Sequence, residues 1–164
     1  MTENTSHKTV AITKIGLVAA LYVAVTLVVA PFSYGAVQLR LAEAFNHLAV
    51  FNKRNVVALT IGCAIANLAS PLGIVDVVFG SLGTLVMTLI SYYATRRIKS
   101  VPLKLTVSTI ICTVMMFNVA LELHIFNKLP FWPTYATVAI GELLSMALGA
   151  IIIYLVQKRI NLTN

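Results

Sequence analysis

Long uncharged runs constrain this chain more than any other feature. No Asp, Glu, His, Lys or Arg occurs in Ile15 to Ala30, Val77 to Ala94, Leu105 to Leu121 or Leu143 to Val156. The runs are continuous, without the short alternation of a β-sandwich or barrel. A segment of that kind satisfies its backbone polar groups internally as a helix and turns an apolar surface to lipid. Charged residues make up 10% of the chain, against about 25% in a soluble domain. The expected fold is an all-α membrane protein, a bundle of six transmembrane helices in one domain.

Turn signals divide the runs. A polar N-terminal tail covers residues 1–9, and a transmembrane domain covers 10–157. The first helix runs from Val10 to Ala30, retained and not cleaved as a leader because Pro31 follows Ala30 directly. Pro31, Ser33 and Gly35 end it. The second helix, Ala36 to Phe51, is short and polar. Turns at Asn52–Asn55 and Ser70–Gly73 bracket the third, Val56 to Ala69. The fourth covers Ile74 to Ala94, the fifth Leu105 to Phe126 and the sixth Thr134 to Val156. Residues 158–164 form a C-terminal tail.

A net charge of +7 would suggest nucleic acid in a soluble protein. Here the basic residues fall between the apolar runs, so topology accounts for them and no nucleic-acid partner is expected. With the N-terminus inside, Lys8, Lys14, Lys53, Arg54, Arg96, Arg97, Lys99, Lys104, Lys158 and Arg159 are cytoplasmic. These are ten of the twelve basic residues. The bias places both termini in the cytoplasm and supports counting the second helix as a span, against the alternative of an interfacial amphipathic helix.

Cys63 and Cys112 lie inside apolar runs and read as small hydrophobes. No Cys/His spacing suits zinc, and no GxxxxGK[ST] phosphate loop occurs, so neither a metal, a cofactor nor ATP hydrolysis by that mechanism is expected.

The polar residues inside the runs carry the functional argument, because intramembrane charge is costly and usually retained for a task. Within QLRLAEAFNH (38–47), Arg40, Glu43 and His47 stand at i, i+3 and i+7, one stripe of an α-helix. In the six-span topology Glu43, Asp76, Glu122 and Glu142 all fall in the outer half of the bilayer, with Asn67, Asn118 and His124. On the sixth helix Trp132, Tyr135, Ala139, Glu142 and Met146 follow helical spacing. The candidate substrate site is Arg40, Glu43, His47, Asn67, Asn118, Glu122, Trp132, Tyr135 and Glu142. Each has a plainer reading beside this one. Glu43 pairs with Arg40 to hold helices, Ser145 satisfies Glu142, Trp132 and Tyr135 belong to an interfacial aromatic belt, and His47 bonds within the bundle. Asp76 is expected to cap the fourth helix.

At the cytoplasmic side, Gly16, Ala20 and Ala24 recur every fourth residue on the first helix. This small-residue stripe lets another helix approach closely, and a partner-subunit interface is the expected use.

Three stretches, YGAVQLRLAEAF, IANLASPLGIVDVVFGSLGTL and VAIGELLSMALGA, resemble the QueT family. A six-helix chain of this size with that stripe is similar to the substrate-binding S components of energy-coupling factor transporters. The resemblance implies a bacterial plasma-membrane protein that captures a queuosine precursor, a 7-deazaguanine such as the aminomethyl form. It implies docking by the first helix on a transmembrane coupling subunit driven by two separate ATPase subunits, so the chain itself is no enzyme. In that setting Glu43 and Glu142 divide the base edge and the amine between them. An ion-coupled carrier acting alone and an S component for another vitamin are the rival readings.

Overall fold

A computed structural model of the chain describes residues 2–30, 40–160 and 162. The expected break at Pro31, Ser33 and Gly35, and the start of the second helix with Gln38 and Leu39, lie outside the described residues. The described residues form six α-helices and one 3-10 helix. They are α1 Thr2–Val28, η1 Leu41–Val50, α2 Arg54–Asn67, α3 Ile74–Thr95, α4 Val101–Met115, α5 Phe117–Asn127 and α6 Phe131–Gln157. The first helix starts earlier than its apolar run, at Thr2.

Four segments are long and apolar enough to cross a membrane: Thr9–Val28, Ile74–Thr95, Val101–Asn127 and Phe131–Gln157. The η1 helix has 10 residues and α2 has 14, both shorter than the roughly 20 residues of a typical span. The surface is apolar and much of the interior is polar, the distribution expected of a bundle with lipid as its solvent. Leu17, Ile74, Leu82, Val114 and Ile151 face outward. Thr84, Thr88, Ser91, Thr95, Ser108 and Ser145 are buried. Small hydroxyl residues let helices approach closely without leaving voids, and Thr88, Thr95 and Ser145 return their hydroxyls to carbonyls four residues earlier.

The second expected helix corrects the sequence reading. It is a 3-10 helix, not an α-helix, and it sits at the centre, packed against α6 above all and also against α1, α2, α3 and α4. Seven of its ten residues are buried. The reason for so close a fit lies on α6. A β-carbon added at Gly149 would stand 2.6 Å from the Ala44 side chain and 2.7 Å from its Cα, so the two backbones touch. The fifth expected helix is also corrected. It is interrupted at Met116, whose N–H reaches Thr113 O at 3.3 Å, and so divides into α4 and α5 within one span-length segment, Val101–Asn127.

One end of the bundle gathers basic and aromatic side chains from separate segments. Lys53 donates to Tyr93 Oη at 3.1 Å, Arg96 lies over the same ring, and Lys104 reaches Val50 O at 3.5 Å. Lys158 lies over Tyr154.

Gly149→Ala should separate η1 from α6. Overpacking of this kind costs about 1–3 kcal/mol, which thermal unfolding of the purified protein in detergent would read as a lowered Tm. Alanine at Gly16, with nothing within 4 Å, should leave Tm unchanged.

Candidate functional site

The switch from α to 3-10 geometry decides which side chains share a face. With three residues per turn, positions i, i+3 and i+6 eclipse. Glu43 and Asn46 therefore stack along η1, while His47 turns away. Asn46 Nδ2 donates to Glu43 Oε2. From α1, Tyr22 Oη donates to Glu43 Oε1 at 2.6 Å. Both oxygens of this buried carboxylate thus hold a donor from the protein, one local and one from another helix. Charge-assisted bonds of this length are about twice as strong as neutral ones. His47 leaves the expected stripe and bonds through Nε2 to Met146 O at 2.9 Å, tying η1 to α6.

Arg40 lies just before η1, buried, within electrostatic range of Glu43 and Asp76, of Glu122 and of Glu142. One guanidinium thus stands among four carboxyl groups drawn from η1, α3, α5 and α6. A cavity opens beside it, lined by Arg40, Glu43, Thr84, Asn118 and Glu142 with Met87, Met115, Met116, Val119 and Val138, and with bare backbone at Gly80 and Gly83. Its volume is about 20 Å³, room for about one water molecule.

Two amides shape the α3 wall of this site. Asn67 Nδ2 donates to Asp76 O at 2.9 Å, and Asn118 Nδ2 donates to Phe79 O at 3.1 Å. Each occupies the space that a side chain at Gly80 or Gly83 would fill. The glycines are needed because an amide must reach the helix backbone there.

Of the nine expected site residues, Arg40, Glu43, Asn118 and Glu142 line the cavity. Asn67 stands behind the α3 wall, and His47 serves the η1–α6 joint. Glu122 is buried beside Asp76, outside the lining. Tyr135 is half-buried, stacked on Phe131 at 6.2 Å with its hydroxyl 3.3 Å from Val114 O. Trp132 corrects the expected stripe, since it is 74% exposed. Ten residues separate it from Glu142, which at about 100° per residue leaves the two some 80° apart around α6. Asp76 is also corrected. Gly73, with φ +56°, occupies the cap position and has no side-chain cap bond, while the Asp76 carboxylate accepts from Ser70 Oγ. Gly16, Ala20 and Ala24 are all exposed on α1.

Sequence reasoning missed Tyr22, Asn46, Thr84 and the methionines. Asn46 stands three residues after Glu43, within its reach on an α-helix as on a 3-10 helix, but as an uncharged amide it did not stand out beside the charged residues. Tyr22 carried one usable signal, a hydroxyl in the middle of an aliphatic run, which when buried needs a partner.

A family model described as QueT transporter matches residues 12–158. The chain is similar to the queuosine precursor transporter QueT of Lactococcus lactis subsp. cremoris (strain MG1363), with 37% identity over 165 residues, 95% of this chain and 97% of that protein. No solved structure matches it.

Tyr22→Phe keeps the ring and removes one donor from a buried carboxylate, at a cost of about 1.5–3 kcal/mol. Glu43→Gln should be destabilising too. The double variant should destabilise by less than the sum of the two, with a coupling of about 0.5–3 kcal/mol in a thermal or denaturant cycle. Strict additivity would mean that the two side chains do not depend on each other.

Proposed function

The chain belongs to the QueT transporter family, and from that premise we propose that it captures a queuosine precursor, a 7-deazaguanine, for uptake across the bacterial plasma membrane. The observation that carries this reading is Glu142. It is 2% exposed and lines the cavity beside Arg40 and Glu43, and its Oε1 has no hydrogen-bond partner. A buried polar atom without a partner is costly, and at a cavity wall it fits an atom that a ligand satisfies. The Watson–Crick edge of a deazaguanine offers a ring N–H and an exocyclic amine side by side, a donor pair that one carboxylate accepts. Glu43 has donors on both oxygens already. We therefore assign the base edge to Glu142 and give Glu43 the role of fixing η1 and the neighbouring Arg40. The ring carbonyl finds a donor in Arg40, since Asn118 Nδ2 already donates to Phe79 O.

A cavity of about 20 Å³ does not hold a bicyclic base, so binding separates its walls. Met87, Met115 and Met116 line it. Their unbranched side chains repack at low cost, and the interruption of the helix at Met116 gives α4 and α5 a place to yield.

The same reading makes the chain an S component, with six spans and both termini in the cytoplasm. The exposed stripe Gly16, Ala20 and Ala24 supports docking on a transmembrane coupling subunit that two ATPase subunits drive. The basic and aromatic end of the bundle supports the orientation.

The test of the ligand is a calorimetric or thermal-shift series on purified protein with deazaguanines, guanine, riboflavin and thiamine. A deazaguanine should raise Tm in proportion to the logarithm of its concentration. Glu142→Gln should weaken that binding at least tenfold. Stabilisation by riboflavin or thiamine alone would replace this substrate with another vitamin. For the docking face, Ala20→Leu should leave ligand affinity unchanged and abolish both uptake and co-purification with the ATPase subunits. Uptake that survives deletion of those subunits would make the chain a carrier acting alone.

A further inference from the structure

A second unpartnered carboxylate oxygen stands near the first site, on a different pair of helices. Glu122 of α5 is 1% exposed, and its Oε1 has no hydrogen-bond partner. Its side chain meets that of Asp76 from α3. Asp76 is itself buried and is held in place by Ser70 Oγ on its carboxylate and by Asn67 on its backbone carbonyl. The pair lies next to the cavity. Asp76 precedes the cavity residue Gly80 by four positions, and Glu122 follows the cavity residue Asn118 by four. Because α3 and the α4–α5 segment run in opposite directions, both steps lead the same way. They place the pair one helical turn, about 6 Å, beyond the cavity toward the N-terminal end of α3.

We propose that Asp76 and Glu122 form a rim subsite that binds a cationic side chain of the ligand whose base edge Glu142 takes. The proposal rests on the deazaguanine reading above and adds the residues that choose among deazaguanines. Two observations carry it. Among the described residues, each carboxyl pair near the cavity leaves one buried oxygen without a donor, Glu142 Oε1 in one and Glu122 Oε1 in the other. A ligand with a donor edge at one end and an ammonium at the other supplies both. The pair is also fixed in place, Asp76 by Ser70 Oγ and by Asn67, so two carboxyl groups stand side by side as acceptors for the N–H bonds of an ammonium. A neutral substituent leaves the Glu122 oxygen unsatisfied. Selectivity arises because a site built to pair with a polar group rejects an analogue that lacks it.

The experiment is isothermal calorimetry on the purified full-length protein with two ligands, 7-aminomethyl-7-deazaguanine and its neutral 7-methyl analogue. The wild type should bind the aminomethyl compound about ten- to a hundredfold more tightly, the range for a hydrogen bond to a charged group. Glu122→Gln and Asp76→Asn, each close in shape to the original residue, should each reduce that preference to within about twofold. The loss should fall on the aminomethyl ligand, whereas Glu142→Gln should weaken both ligands together. A wild type without preference would overturn the rim subsite, even where both variants failed to fold. So would variants that retain the preference, or that weaken both ligands equally. A wild type that binds neither compound would overturn the deazaguanine reading itself, an outcome distinct from the loss of the rim alone.

Discussion

The interaction on which the rest of this structure depends is the pair of hydrogen bonds that hold the Glu43 carboxylate in the middle of the bundle. An isolated carboxylate in an apolar interior costs many kcal/mol. Glu43 is tolerated because Tyr22 reaches it from α1 and Asn46 from its own helix, with Arg40 close by. These partners impose geometry. Asn46 stacks on Glu43 in a helix of three residues per turn, and Tyr22 must face inward from α1. A polar requirement at one atom thereby ties the orientation of α1 to the conformation of η1.

That conformation needs room, which small residues provide. Gly149 lets η1 lie against the α6 backbone, Gly62 of α2 accepts Tyr22 and Ala19 of α1, and Gly80 and Gly83 admit two amides to the face of α3. Lipid supplies no hydrophobic drive for helix association, so close packing and interhelical hydrogen bonds carry it. The bundle uses both at the same places. Where backbones come nearest, an amide, imidazole or hydroxyl also crosses, as His47 does to Met146 O beside the Gly149 contact. The site thus occupies a frame held on several sides, with adaptable methionines on the remaining wall.

The arrangement also relates the inner site to the outer surface of α1. Tyr22 is buried on one side of that helix, while Gly16, Ala20 and Ala24 are exposed on another. In the proposed transport cycle, the helix that docks on the coupling subunit is the helix that holds the binding-site carboxylate.

The helical class, the order of the segments and the clustering of basic residues between them were legible from the sequence, because long uncharged runs admit only helices in lipid and loop charge is a local property. The identity of the charged cavity residues Arg40, Glu43 and Glu142 was legible for a similar reason, since intramembrane charge is rare enough to stand out. What tertiary structure decided was which polar groups already have partners. Asn67 has the chemistry of a ligand contact, but its amide donates to Asp76 O and Cys63 Sγ, while His47 gives its Nε2 to Met146 O. Tyr22 and Asn46 drew no notice in the sequence and hold the central carboxylate. The 3-10 geometry of η1 has no local signature, and in it His47 meets Met146 O while Asn46 meets Glu43. Residue type sets which hydrogen bonds a side chain can make; the fold sets which of them are still open to a ligand.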